Sequence, residues 1–141
     1  MHREVLVGGY AIGVGLAMLG MWSGLYLAGE ISELATAPLE IGYHLVAEIL
    51  TAIALLVGGV GLLRGRAWAG RVLPVALGML LYTVINSAGY YANLGEWPIV
   101  GMFTVLTLAT GVLVFGWLRG WTPDTSGEGP GSVRSGDDLV G

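Results

Sequence analysis

The sequence predicts an all-α integral membrane protein, an antiparallel bundle of four transmembrane helices. Apolar residues make up 55% of the 141 residues, and only 11% are charged, against about 25% in a soluble domain. The apolar residues collect in four long runs, Val5–Leu27, Pro38–Leu63, Val72–Tyr91 and Pro98–Leu118. Each run is about 20 residues or longer and can cross a ~30 Å hydrocarbon core as a helix. We therefore expect one transmembrane domain over residues 1–121.

Local signals support each run in turn. The first is longer than the ~7–15 apolar residues of a secretion signal, which favours a retained helix. The second and fourth begin at Pro38 and Pro98, and proline suits the first turn of a helix because no N–H is needed there. The third follows Arg71 and ends in a pair of tyrosines, a residue type that favours the membrane interface.

The basic residues predict the orientation. All six are arginines; one precedes the first run, three lie between the second and third, and two follow the fourth: Arg3, Arg64, Arg66, Arg71, Arg119 and Arg134. The other two connections contain no basic residue. Short basic segments stay on the cytoplasmic side, so we expect a cell-membrane protein with both termini in the cytoplasm. Residues 122–141 lack apolar periodicity and are predicted to form a disordered cytoplasmic tail.

Polar residues inside two neighbouring runs form the candidate site. Three share one face of the second helix and three recur on the third: His44, Glu48 and Thr51, with Tyr82, Asn86 and Tyr90. At 1.5 Å per residue, Glu48 lies about 10 Å and Asn86 about 7 Å from the predicted outer boundary. The matching depths predict that Glu48 and Asn86 are neighbours across the two helices.

This polar group has two interpretations. A carboxyl group in hydrocarbon is costly unless it is paired, hydrated or protonated, so His44 and Glu48 could handle a proton or bind a ligand in a transporter or a membrane enzyme. Alternatively, Glu48 and Asn86 could form a hydrogen bond that ties two helices together in a non-catalytic membrane component. The tie is the preferred interpretation, and the sequence does not decide whether the protein is an enzyme.

Glycine rows on the first run suggest a packing surface. Gly9 and Gly13, and likewise Gly20 and Gly24, have the G-x-x-x-G spacing that lets helices approach closely in lipid. The spacing does not distinguish a contact within the bundle from a contact with a second copy or a partner membrane subunit.

Composition also argues against several functions. There is no cysteine, and His44 is the only histidine inside a run, so we expect no metal site, paired-histidine haem or other cofactor. The net charge of −4 argues against nucleic acid as a partner; the expected partner is the lipid bilayer. In size and layout, the whole chain resembles the small four-helix bacterial membrane proteins of the DoxX-like families. That resemblance implies a four-helix membrane fold and no particular site residues.

Overall fold

The described part of the chain is entirely helical. The computed structural model describes residues 2–120, which form five helices and no strand: α1 (His2–Ala28), α2 (Glu33–Thr36), α3 (Pro38–Leu63), α4 (Ala69–Asn93) and α5 (Trp97–Leu118). Helices α1, α3, α4 and α5 are long and apolar enough to cross a membrane. The prediction of four long helices is confirmed. The predicted tail, residues 122–141, lies outside the described residues.

The short helix α2 was not predicted. It lies in the connection between α1 and α3, where the sequence has no apolar periodicity. A hydrogen bond from the Tyr90 hydroxyl to Glu33 Oε1, 2.6 Å long, joins α2 to the end of α4. Helix α2 is therefore held by a contact with Tyr90, which is 57 positions later in the sequence than Glu33.

Glycine ends the long helices sharply. After α3, Gly65 has φ +63°, and its N–H donates to the Leu62 carbonyl at 3.0 Å while the Arg66 N–H donates to the Gly61 carbonyl at 2.9 Å. This pair of bonds is the Schellman motif, in which a left-handed glycine satisfies carbonyls that the helix leaves without partners. The same arrangement ends α1 at Gly29 and α4 at Gly95, which explains how such short connections reverse the chain.

Helices α1 and α3 pack closely through small residues. A Cβ atom added to Gly8 would lie 2.9 Å from Leu63 and 3.2 Å from the Gly59 carbonyl oxygen, and one added to Gly15 would lie 3.0 Å from the Ala52 carbonyl oxygen. Increasing residue numbers in α1 therefore meet decreasing numbers in α3, so the two helices are antiparallel. Such backbone proximity is how small residues favour packing between apolar helices.

The predicted glycine rows do not take part in that contact. Gly9, Gly13, Gly20 and Gly24 lie on exposed faces of α1, and a Cβ atom on any of them would meet nothing within 4 Å. The alternative of a contact within the bundle is therefore wrong for both rows, because a helix turns by about 100° per residue and Gly8 and Gly9 point in different directions. A contact with a second copy or another subunit stays a prediction.

The bundle closes so that its arginines share one end. Tyr10 and Thr110 form a side-chain hydrogen bond of 2.8 Å between α1 and α5. This bond places the start of α1 beside the end of α5, and the approach of Gly8 to Leu63 places the start of α1 beside the α3–α4 connection. Five arginines lie at this end: Arg3, Arg64, Arg66, Arg71 and Arg119. We call it the arginine end; Arg134 lies outside the described residues.

Candidate functional site

Glu48 lies in the interface between α1 and α3, far from the arginine end. The residue is only 4% exposed. Its Oε2 accepts a hydrogen bond from Trp22 Nε1 at 3.4 Å, and its Oε1 lies 3.9 Å from Nε2 of His44, one turn earlier on α3. The rings of Trp22 and His44 meet edge to face, with centroids 5.6 Å apart. We call these three residues the Trp22–His44–Glu48 cluster.

The carboxyl group of Glu48 is incompletely satisfied. A 3.4 Å N–H···O contact is longer than the usual 2.7–3.2 Å and correspondingly weak. The second oxygen, Oε1, is buried and has no hydrogen-bond partner within the described residues. Leaving a buried polar atom without a partner costs free energy, and most such atoms in proteins are paired. An exception in this position identifies Glu48 as the chemically distinctive residue of the bundle.

The predicted hydrogen bond between Glu48 and Asn86 is wrong. Asn86 is exposed, and its Nδ2 donates to the Tyr82 carbonyl on its own helix at 3.0 Å. The carboxyl group of Glu48 instead receives its hydrogen bond from α1. Two residues at the same height along the bundle need not face each other, because height does not determine the direction in which a helix presents a residue.

The other predicted residues do not join the cluster through hydrogen bonds. Thr51 is buried, and its hydroxyl donates to the Ala47 carbonyl at 2.8 Å, a bond within α3. Tyr82 is exposed. Tyr90 is at the far end of α4 and bonds to Glu33. Of the six predicted residues, only His44 and Glu48 meet each other through polar side-chain atoms.

The Tyr90–Glu33 contact forms a separate polar tie at the end opposite the arginines. The hydrogen bond from the Tyr90 hydroxyl lowers the pKa of Glu33 below its ordinary value of 4.5, because the bond favours the ionised carboxylate. The carboxylate lies outside the long helices, on α2. The Tyr90–Glu33 hydrogen bond is exposed and connects α2 to the end of α4.

Trp22 is the residue that sequence reasoning missed. It lies six residues before the end of α1 at Ala28, which is about 9 Å from that end at 1.5 Å per residue. This depth is close to that expected for Glu48. A buried indole N–H usually finds a hydrogen-bond partner, so an indole at the depth of a carboxyl group was the signal available in the sequence.

Within residues 2–120, no three His, Cys, Asp or Glu side chains converge to hold a metal ion. The groups available in the cluster are an imidazole, a carboxyl group and an indole N–H. They can exchange a proton or form hydrogen bonds between helices.

Over residues 2–120, the fold and this cluster define a class: an α-helical bundle with four helices of membrane-spanning length and one buried carboxyl group between two of them. The chain belongs to the family described as a domain of unknown function, DUF8058, whose model matches residues 1–126. Comparisons with curated proteins and with solved structures found no match.

Proposed function

We propose that this chain is a multi-pass protein of the cell membrane, with its arginine end in the cytoplasm. The support is the apolar surface of all four long helices: Leu16, Val46, Val75 and Val105, one from each, are 55–66% exposed. A soluble protein rarely exposes an apolar patch larger than a few hundred Å², whereas lipid solvates such a surface. The gathering of arginines at one end supports the orientation.

A reporter that is active only in the cytoplasm tests the orientation. Inserted at Ser32 or Gly95, which lie in the two connections opposite the arginine end, it should be silent. Inserted at Gly65, in the arginine-bearing connection, it should be active. Activity at Ser32 or Gly95 would contradict the orientation.

Within the membrane, we infer a non-catalytic component in which the Trp22–His44–Glu48 cluster ties α1 to α3. The observation that carries this proposal is the contact of the Trp22 indole with the Glu48 carboxyl group across the interface. Glu48 is 4% exposed, so a ligand has little access to the carboxyl group. The tie connects the first and second spans, not the second and third. The likeness in layout to the DoxX-like families agrees with this proposal but supplies no site residue.

One observation favours a second function, proton handling. Glu48 Oε1 is buried without a hydrogen-bond partner in the described part of the chain, while the His44 side chain 3.9 Å away is 38% exposed. A movement of His44 by about 1 Å would bring its Nε2 within hydrogen-bond distance of Oε1. The imidazole could then pass a proton between the surface and the carboxyl group, as an ion-coupled transporter requires.

Substitutions at Glu48 separate the two proposals. If the cluster is a tie, Glu48→Gln should be nearly silent, because an amide oxygen also accepts from the Trp22 indole. Glu48→Leu and Trp22→Phe should each lower the free energy of unfolding, by about 0.6 kcal/mol and by no more than about 1.7 kcal/mol, the mean and the maximum measured for hydrogen bonds between membrane helices. If Glu48 exchanges a proton, wild-type stability in detergent should vary between pH 5 and 8, and Glu48→Gln should abolish that variation.

The control is His44→Gln, which removes the imidazole and leaves the carboxyl group in place. A pH-dependent step that survives in His44→Gln but disappears in Glu48→Gln would assign the step to the carboxyl group and contradict the purely structural proposal. Overlapping flat curves for wild type and Glu48→Gln would contradict proton handling.

A further inference from the structure

A groove lies at the arginine end, between the last two turns of α3 and the connection to α4. Its volume is about 350 Å³, within the ~300–1,000 Å³ range of small-molecule sites. Helix α3 supplies apolar lining residues, and the connection supplies two arginines and a tryptophan: Val57, Val60 and Gly61 from α3, with Arg64, Arg66 and Trp68. We call this the arginine groove. Its nearest lining residue on α3, Leu56, lies eight residues beyond Glu48, about 12 Å along the helix, and the groove shares no residue with the Trp22–His44–Glu48 cluster.

The shape of the groove follows from two local features. The Trp68 ring packs directly on Gly61: a Cβ atom added there would lie 2.5–3.0 Å from three carbons of the ring. Only glycine at this position lets the indole lie so close to α3. The backbone of Arg66 is fixed by its 2.9 Å hydrogen bond to the Gly61 carbonyl. The aromatic wall and the arginine-bearing turn are therefore both anchored to the same residue of α3.

The charged residues that line the groove are all basic. Arg64 and Arg66 are exposed, and neither guanidinium group has an ion pair or hydrogen bond with another described residue. No acidic residue is among those that line the groove. Guanidinium groups bind phosphate with paired N–H donors and high geometric specificity. The open arginines therefore present unused phosphate-binding capacity next to an apolar wall.

We propose that the arginine groove binds an anionic phospholipid. The phosphate would lie between Arg64 and Arg66, and the first carbons of an acyl chain would lie along Val57 and Val60. Trp68 supplies the indole that favours the boundary between head groups and hydrocarbon. Basic pockets beside membrane helices recognise acidic lipid head groups by this combination of charge and apolar surface. The proposal rests on the proposed insertion of the bundle in a membrane, but it holds whichever compartment the arginine end faces and does not depend on the role of Glu48.

Lipid binding to the full-length protein in neutral detergent tests the proposal. Native mass spectrometry would count bound dioleoylphosphatidylglycerol and dioleoylphosphatidylcholine in separate titrations. The wild type should bind the anionic lipid in preference to the zwitterionic one. The double variant Arg64→Gln/Arg66→Gln should bind the anionic lipid about 25-fold more weakly, since a basic residue near an anionic surface contributes about fivefold.

A matched control removes the same charge elsewhere at that end. Arg71→Gln/Arg119→Gln loses two arginines that do not line the groove, and it should retain most of the wild-type affinity. All three proteins should show similar thermal stability without added lipid, because the substituted side chains are exposed and the contact of Arg119 with the Phe115 ring, 4.4 Å from its centroid, is an exposed cation–π contact of small free energy. Equal losses in the two double variants, or equal binding of the two lipids by wild type, would overturn the proposal. Competition by glycerol phosphate, which lacks acyl chains, would also overturn it by showing a site for a soluble phosphate.

Discussion

Replacing Gly59 by alanine tests the close packing of α1 against α3. The new Cβ atom would lie 2.9 Å from the Gly8 carbonyl oxygen and 2.9 Å from Ile12 Cγ1, whereas ordinary contacts begin near 3.4 Å. The two helices would have to separate by about 0.5 Å, because tightly packed interiors have little free space into which a backbone carbonyl can shift. Overpacking of this kind costs about 1–3 kcal/mol, while replacing glycine by alanine in a helix gains about 1 kcal/mol. We expect a net loss of about 0–2 kcal/mol.

The matched control is Gly13→Ala, which has the same gain in helix propensity and nothing within 4 Å of its new methyl group. The overpacking term then appears as the difference between the two variants, about 1–3 kcal/mol. Reversible unfolding in mixed micelles of neutral detergent and dodecyl sulfate would measure both free energies. The same free energy of unfolding in Gly59→Ala and Gly13→Ala would refute the close α1–α3 approach.

Three further predictions concern other parts of the bundle. Asn86→Ala should change the free energy of unfolding by less than about 0.5 kcal/mol, as exposed substitutions usually do, and a loss above about 2 kcal/mol in chemical unfolding would show that Asn86 has a partner in the native bundle. The Tyr90–Glu33 bond lowers the pKa of Glu33, so its contribution to stability is present above the unfolded-state pKa near 4.5 and is lost as the pH falls through the lower folded-state value. The protection of the α2 amides against hydrogen exchange, corrected for the intrinsic exchange rate at each pH, should therefore decrease on acidification in wild type but not in Tyr90→Phe; an equal decrease in both would exclude the bond as the cause. Gly13→Ile should leave the monomer folded, because the position is open, and should reduce any self-association measured by cross-linking in detergent; unchanged cross-linking would exclude this glycine row as the interface.

Much of the candidate site could be predicted from the sequence, but its partner could not. His44 and Glu48 were identified because two polar side chains one helical turn apart are unusual in an apolar run, and the structure brings them together. Asn86 was paired with Glu48 on depth alone, and this pairing failed because Asn86 is on an exposed face of α4. Trp22 was overlooked since tryptophan in an apolar run is consistent with ordinary packing.

The sequence by itself determined the properties that vary along the axis of the bundle. The ends of the long helices, the placement of Pro38 and Pro98 in first turns and the gathering of the arginines at one end depend on length, composition and local backbone chemistry. Each of these properties depends on residues that are close together in the sequence, so the sequence alone is enough to predict it.

Only the tertiary structure decided the rotation of each helix about its own axis. Apolar residues surround α1 and α5 almost evenly, so neither helix has a polar face that would fix its direction in lipid. Rotation was instead decided by which small residues allow two backbones to approach, with Gly8 and Gly59 forming the contact while Gly9 and Gly13 remain exposed. That rotation turned Glu48 toward Trp22 and away from Asn86, because close packing of small residues sets which faces of apolar helices meet.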